Sequence, residues 1–422
     1  MPSHWSIVLV LLGLAAAATL VDGQTVPKAP AASDARAPAG ETARSHFTAD
    51  ELARGRAYAN GRYVLFFLRL ALTLGLLAVL TLTRLSTTLH DLSVSAAGGR
   101  VWLTVAIFGL LVSLLYYAVT FPLSLYGDFL REHAFGLSTQ SLTAWAWDYG
   151  KGASIGTVIV LPLLVLLYRL IRWSPGSWYL PAWAVAVIVM ALIAELSPLL
   201  IDPLFHKFKT VEDQGILERV RTLTDRAGLE VGPILEMDAS RKTTKTNAYF
   251  TGLGSAKRVV LYDTLIATSP PEEVELVLAH ELGHWKHHHI WKGIALGAAS
   301  MLIAMWVIAH LANAAAASGR FGFIHPADVR SLPLLLLSFL LLSTLTMPIQ
   351  RAISRAFERQ ADLESLRLTN NPDAFIAAEV SLARANVADL DPPRPIVWLL
   401  YTHPPVLDRL AMAESFRAGD TR

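Results

Sequence analysis

Two histidines four residues apart, with a glutamate directly after the first, occur in Ala279-His280-Glu281-Leu282-Gly283-His284-Trp285. On an α-helix such residues share a face, so both imidazoles can meet one Zn²⁺ while Glu281 points at the water it holds. The neighbours predict the helix. Pro270 and Pro271 suit its opening, Glu272 and Glu273 complement the dipole of its first turn, and Val274, Val277, Leu278 and Leu282 recur at helical spacing. Without further features the same residues would read as two surface histidines.

A catalytic zinc needs three protein ligands and one open position. The chain has no cysteine, which excludes thiolate sites, disulfides and a cysteine nucleophile, so any metal must rest on His, Asp and Glu. A third ligand is available in Ser354-Arg355-Ala356-Phe357-Glu358-Arg359-Gln360-Ala361-Asp362, where Glu358 and Asp362 lie four apart. On one helical face, Glu358 can bind metal while Asp362 accepts the N–H of a ligand histidine. Taken alone, this stretch reads more simply as a charged helix making Glu/Arg pairs. The organisation of the chain turns the reading.

Of 422 residues, 53% are hydrophobic and 17% charged, with mean hydropathy +0.43. This is the composition of a membrane protein. A net charge of +2 gives no basis for nucleic-acid binding. The preponderance of Arg over Lys and the abundance of Ala hint at a GC-rich bacterial genome. Apolar runs long enough to cross a bilayer are expected at Tyr63–Thr83, Val101–Leu125, Ser154–Ile171, Trp178–Ile201, Ile290–Ala317 and Leu332–Ile349. A shorter run, Trp5–Leu20, precedes the Ala/Pro-rich Val26–Ala39 and reads as a cleaved signal peptide or a first membrane helix. As an uncleaved helix it puts 28 Lys and Arg on one side of the membrane and 5 on the other. The positive-inside rule then favours seven spans, with Asp202–His289 and Gln350–Arg422 both cytoplasmic. The last two spans form a hairpin, which returns Glu358 to the side that carries His280 and His284.

Within the soluble segment, Val211–Arg226 reads as an amphipathic helix, with Ile216, Val220 and Leu223 on one face. Pro233–Met237, Asn247–Phe250 and Arg258–Tyr262 read as short strands, with Gly252 and Gly254 marking a turn. Three further helices are expected near Arg351–Thr369, Pro372–Asn386 and Pro404–Phe416. Arg69, Arg169 and Glu195 fall in or near spans and should face a cavity or a partner. His287, His288 and His289 read as a juxtamembrane polar run rather than extra ligands, and Lys242 and Lys245 as a solvated loop.

From about His46 to Leu410 the chain resembles the type I CAAX prenyl proteases, integral-membrane zinc metallopeptidases of the gluzincin kind. The resemblance rests on Arg131 to Gln140, Ile201 to Phe205, Ser240 to Phe250 and Arg258 to Leu265. It continues through the zinc helix with Trp285, the Glu358/Asp362 segment, and His403-Pro404-Pro405 with Arg409. It implies a mostly α-helical polytopic fold, seven membrane helices enclosing a chamber, closed by a gluzincin-type α+β domain with a short edge-strand sheet. It also implies one Zn²⁺ per chain on His280, His284 and Glu358, with Asp362 behind them and Glu281 as general base. Asn247 and Ala248 match the family's edge strand, to which an extended substrate can add. His403 matches a family histidine that stabilises the oxyanion, and Arg409 would support that site. The N-terminal Ala/Pro-rich segment has no counterpart, and the stretch between Asp263 and Glu273 lacks the long charged insertion of some animal members.

The expected division is 1–22, first membrane helix or signal-like segment; 23–60, linker and amphipathic lead-in; 61–202, spans two to five; 203–289, soluble protease segment; 290–350, spans six and seven; and 351–422, C-terminal part of the protease domain. The expected partners are the lipid bilayer and a peptide or protein substrate, lipidated or not, and the expected location is a bacterial inner membrane. Two other readings compete: a quality-control protease of membrane proteins, which would have fewer spans, and a channel or scaffold that merely retains the fold. The intact Glu281 argues against the second. For topology, cysteines placed at Ser255 and Thr421 should resist an impermeant thiol reagent in intact cells and label after lysis. Labelling of both in intact cells would reverse the orientation.

Overall fold

A bilayer offers no hydrogen bonds, so a chain crosses it as helix, with every backbone group satisfied internally. In a computed structural model describing residues 43–229, 232–251 and 258–419, all six expected spans there are helical. Trp5–Leu20, Val26–Ala39 and the Gly252/Gly254 turn lie outside those residues. The chain runs through α1 (Ala49–Leu82), α2 (Leu85–Ala96), α3 (Val101–Ser124), α4 (Leu142–Trp173) and α5 (Tyr179–Leu196). There follow β1 (Phe208–Thr210), α6 (Gln214–Ala227), β2 (Ile234–Met237), β3 (Ala248–Thr251), β4 (Arg258–Tyr262), α7 (Asp263–Thr268) and α8 (Pro271–Lys286). Last come α9 (His289–Ser318), α10 (Leu332–Thr369), α11 (Pro372–Ala385), α12 (Arg394–Leu400) and α13 (Val406–Arg417).

Among the described residues, six helices are long and apolar enough to span. Their apolar side chains point outward: in the most apolar stretch of Tyr179–Leu204 only 6% is buried inside the protein. Val158, Leu345 and Ile349 each expose 64% or more, a surface that needs lipid to cover it. The helices overrun the expected spans because hydropathy detects only their lipid-immersed part. The first begins at Ala49, where Thr48 and Glu51 form a capping box, and α10 continues without a break from its membrane half to Thr369. The short helix α2 and strand β1 were not expected from the sequence; β1, with three residues, is too brief to show a period of its own.

The sheet has order β1-β2-β4-β3, with β2 and β4 parallel and the outer pairs antiparallel. β3 therefore lies at an edge, with Ala248 paired to Leu261 on its inner side. Ile216, Val220 and Leu223 of α6 face the core as expected, joining Val259, Val260 and Leu261 of β4 and Leu278 and Leu282 of α8. Asp213 caps α6 through the Ile216 N–H, and Gly228 ends it at φ 65°. Lys242 and Lys245 correct the expectation of a solvated loop. Lys242 pairs with Asp148 at 2.7 Å, and Lys245 with Glu132 at 2.7 Å and the Tyr58 hydroxyl at 2.9 Å. These bonds tie the approach to β3 onto α1, α4 and the continuation of α3. In the membrane region, Arg69 faces Asp128 at 3.5 Å and donates to Ser124.

A close approach of α8 to α10 decides the site. A Cβ added at Gly283 of α8 would stand 2.9 Å from both the Cα and the carbonyl oxygen of Ala361 on α10. Two small residues thus let the helices meet backbone to backbone. Gly283→Ala should force them apart, lowering stability by about 1–3 kcal/mol and weakening metal retention. Thermal unfolding and metal analysis check this; wild-type melting with full metal content would refute it.

Candidate metal centre and active-site cleft

Helix α8 presents His280 and His284 on one face, and α10 presents Glu358 opposite. His280 Nε2 and His284 Nε2 lie 3.1 Å apart, and Glu358 Oε2 is 3.3 Å from the first and 3.6 Å from the second. One donor atom from each residue fits within 4.8 Å of the others. On the far side of its ring, His280 Nδ1 is 2.8 Å from Asp362 Oδ1. A carboxylate can only accept there, so His280 carries its proton on Nδ1 in the neutral form and turns a lone pair on Nε2 inward. Glu358 Oε2 is buried without a geometrically sound hydrogen bond. An orphaned carboxylate oxygen and facing imidazole nitrogens form an electron-rich cluster that fits a divalent cation.

Burial disfavours a charge on His280, but Asp362 and Glu358 outweigh it and raise its pKa to about 10 in the metal-free protein. A cation entering the site must therefore displace a proton. Asp362 is itself fully buried and held by Arg409, whose Nε donates at 2.9 Å to Oδ2 and whose Nη2 donates to Oδ1. The third nitrogen of the guanidinium, Nη1, meets Glu379. Burial pushes the Glu379 carboxyl up to about 7 against the pull of Arg409. Arg409 thus bears on His280 through Asp362, and each of its three nitrogens meets one of the two carboxylates.

His403 stands on the loop between α12 and α13, with Nε2 3.1 Å from Glu358 Oε2 and Nδ1 2.9 Å from Thr402 Oγ1. Its side chain is 56% exposed, facing the cleft. Desolvation at the cleft wall, against the opposing pull of Glu358, lowers its pKa. Arg355, three residues before Glu358 and of no evident role in the sequence, donates from Nη1 at 2.8 Å to both the Val397 and Tyr401 carbonyls. It fastens the end of α12, and with it the loop bearing His403, to the helix that bears Glu358.

A cleft of about 1090 Å³ of empty space, open to solvent, brings these parts together. Its walls include His280, Glu281, His403 and Arg409, with Asn247 and Ala248 at the head of edge strand β3. Glu379 and Asn386, which carry no motif, also line it; Asn386 donates from its amide to the Thr246 carbonyl beside the strand at 3.2 Å. Leu276, Val277, Phe375 and Leu382 make part of the wall apolar. The cleft therefore offers an edge for an extended backbone, the Glu281 carboxylate beside the His280 imidazole, and the separate imidazole of His403.

Comparison with known proteins agrees with this arrangement. Residues 31–207 match the family profile described as CAAX prenyl protease N-terminal, five membrane helices, and residues 211–417 match Peptidase family M48. The chain is 30% identical to "Uncharacterized metalloprotease YhfN" of Bacillus subtilis, over 86% of its length and 85% of the relative's. It is 28% identical to CAAX prenyl protease 1 of Saccharomyces cerevisiae, over 71% and 70% of the respective lengths. A crystal structure of S. mikatae Ste24p shares the fold, with a TM-score of 0.75 and 22% identity over 98% of this chain and 99% of that one. Two profiles in tandem, a 30% identical relative covered over most of its length and a shared fold place the chain in the M48 peptidase family, as a multi-pass membrane metalloprotease.

Proposed function

We propose that the chain is a zinc endopeptidase in which His280, His284 and Glu358 hold the metal, one per chain. The observation that carries the reading is the set of inward-facing donors on α8 and α10, at the side of a cleft that also contains Glu281 and a free strand edge. Two neutral imidazoles and one carboxylate suit zinc and leave a coordination position for substrate or water. Zinc bound there would supply Lewis acidity to the scissile carbonyl and acidify water. Glu281 takes the proton from the attacking water and delivers it to the leaving amine nitrogen. His403 donates its Nε2 hydrogen to the carbonyl oxygen as negative charge develops.

The substrate lies extended along β3, its backbone hydrogen-bonded to the edge near Ala248 and to the Asn247 amide. We assign it as the C-terminal region of a membrane-associated peptide, prenylated or not; the CAAX prenyl protease names of the relatives support that class. The 28-to-5 division of Lys and Arg supports a cytoplasmic active site, and the GC-rich composition supports a bacterial inner membrane.

Glu281→Gln should abolish hydrolysis and keep one zinc, because this side chain moves protons, whereas Glu358→Ala should lose the metal. Turnover of a prenylated CAAX peptide together with metal analysis distinguishes the two. Loss of zinc from Glu281→Gln, or its retention by Glu358→Ala, would show the roles to be misassigned. His403→Ala should retain zinc and lose about 10²–10³-fold in kcat, with kcat/KM falling in step. Asn247→Ala should chiefly raise KM, since strand pairing is made in ground and transition states alike. Near-wild-type turnover by His403→Ala would place it outside the reaction.

A further inference from the structure

Asp362 sets the proton on His280, but among the described residues no carboxylate does the same for His284. Its outer nitrogen, Nδ1, meets the Nδ1 of His289 at 2.9 Å. His289 opens α9 directly after a left-handed residue, His288 at φ 55°, and that break in the chain folds its ring back against α8. The ring is buried and stacks on Phe357 of α10, with centroids 4.1 Å apart and planes 6° from parallel. Its other nitrogen, Nε2, lies 2.9 Å from Gln360 Oε1.

We infer that His289 and Gln360 are positioning residues that fix His284 in the tautomer able to bind metal. The argument is one of hydrogen-bond direction. Gln360 Oε1 can only accept, so His289 carries its hydrogen on Nε2. The Nδ1 of a neutral His289 is then a lone pair, and the bond between the two rings requires the hydrogen to sit on His284 Nδ1. His284 Nε2 is left with a lone pair, aimed at His280 Nε2 and Glu358 Oε2. The opposite direction would place a hydrogen on His284 Nε2 and block the site. His289 itself is no ligand, because its near nitrogen engages the outer side of His284. Helix α10 thus sets both ligand histidines, one directly through Asp362 and the other through a two-residue relay from Gln360.

This inference rests on the zinc reading above and is tested by metal affinity in the full-length protein. Zinc binding is measured by competition with a chromophoric chelator, alongside the unfolding midpoint of each metal-free variant. His289→Leu fills the space against Phe357 without an acceptor and should bind zinc about 10- to 100-fold more weakly, with metal-free stability near wild type. His289→Asn places Oδ1 where Nδ1 stood and should restore most of that loss. Gln360→Leu removes the acceptor that orients His289 and should weaken zinc binding more mildly, while Gln360→Glu, which only accepts, should not. Wild-type affinity in His289→Leu, or a folded His289→Asn as weak as His289→Leu, overturns the inference. If His289→Leu does not fold, the Gln360 pair decides it: equal affinities of Gln360→Leu and Gln360→Glu refute the relay. Retention of zinc by Glu358→Ala would instead refute the underlying site, whatever the His289 variants do.

Discussion

Gly283 has no Cβ, and that absence governs how close α8 comes to α10. Where Gly283 faces Ala361, with the Cβ of Glu364 beside them, two helix backbones meet at a distance that a methyl group would prevent. From that approach follow the 2.8 Å bond between His280 and Asp362, the convergence of both Nε2 atoms on Glu358, and the relay from Gln360 through His289. Each depends on the register of one helix against the other. A shift by a single residue would turn each ligand about 100° away around its helix axis.

The second feature of the site is a concentration of buried charge. Glu358, Asp362, Glu379 and Arg409 all lie in or against the contact between α10, α11 and α13. Desolvating such groups costs several kcal/mol per ion, and pairing returns only part of it. In this arrangement Arg409 answers two carboxylates at once, and a cation in the site would answer a third. The charges are therefore poor contributors to stability on their own, and their physical role is to hold an imidazole in one tautomer and one orientation.

The membrane region and the site are parts of one framework. The helix carrying Glu358 is the continuation of the last span, and α9, whose first residue is His289, enters the membrane directly after the zinc-type helix. The third connection runs through Lys245, Glu132 and Tyr58, which fix the approach to β3 against α1 and the continuation of α3. The strand edge and the imidazoles are thus anchored to the same bundle from different sides. That anchoring satisfies the need of hydrolysis for a substrate bond held steady against its base.

Much of this protein is local enough to be written in short stretches of sequence. Helical periodicity, the flanking prolines and the spacing of His280, Glu281 and His284 are properties of a few consecutive residues, as are the six apolar runs and the Glu358/Asp362 pair. The resemblance to a protease family supplied His403, Asn247 and Arg409, which no local pattern would single out. Tertiary structure alone decided what these residues touch. Lys242 and Lys245 read as solvent-facing until the chain brought Asp148 and Glu132 to them from about a hundred residues away. Arg355, Glu379 and Gln360 have no motif, because their partners lie on other elements. In the sequence His289 reads as one of three histidines in a juxtamembrane polar run, and only the left-handed turn at His288 aims its ring at His284. Hydrogen-bond direction is set by which acceptor arrives at which nitrogen, and that is a property of packed elements that no single stretch of sequence contains.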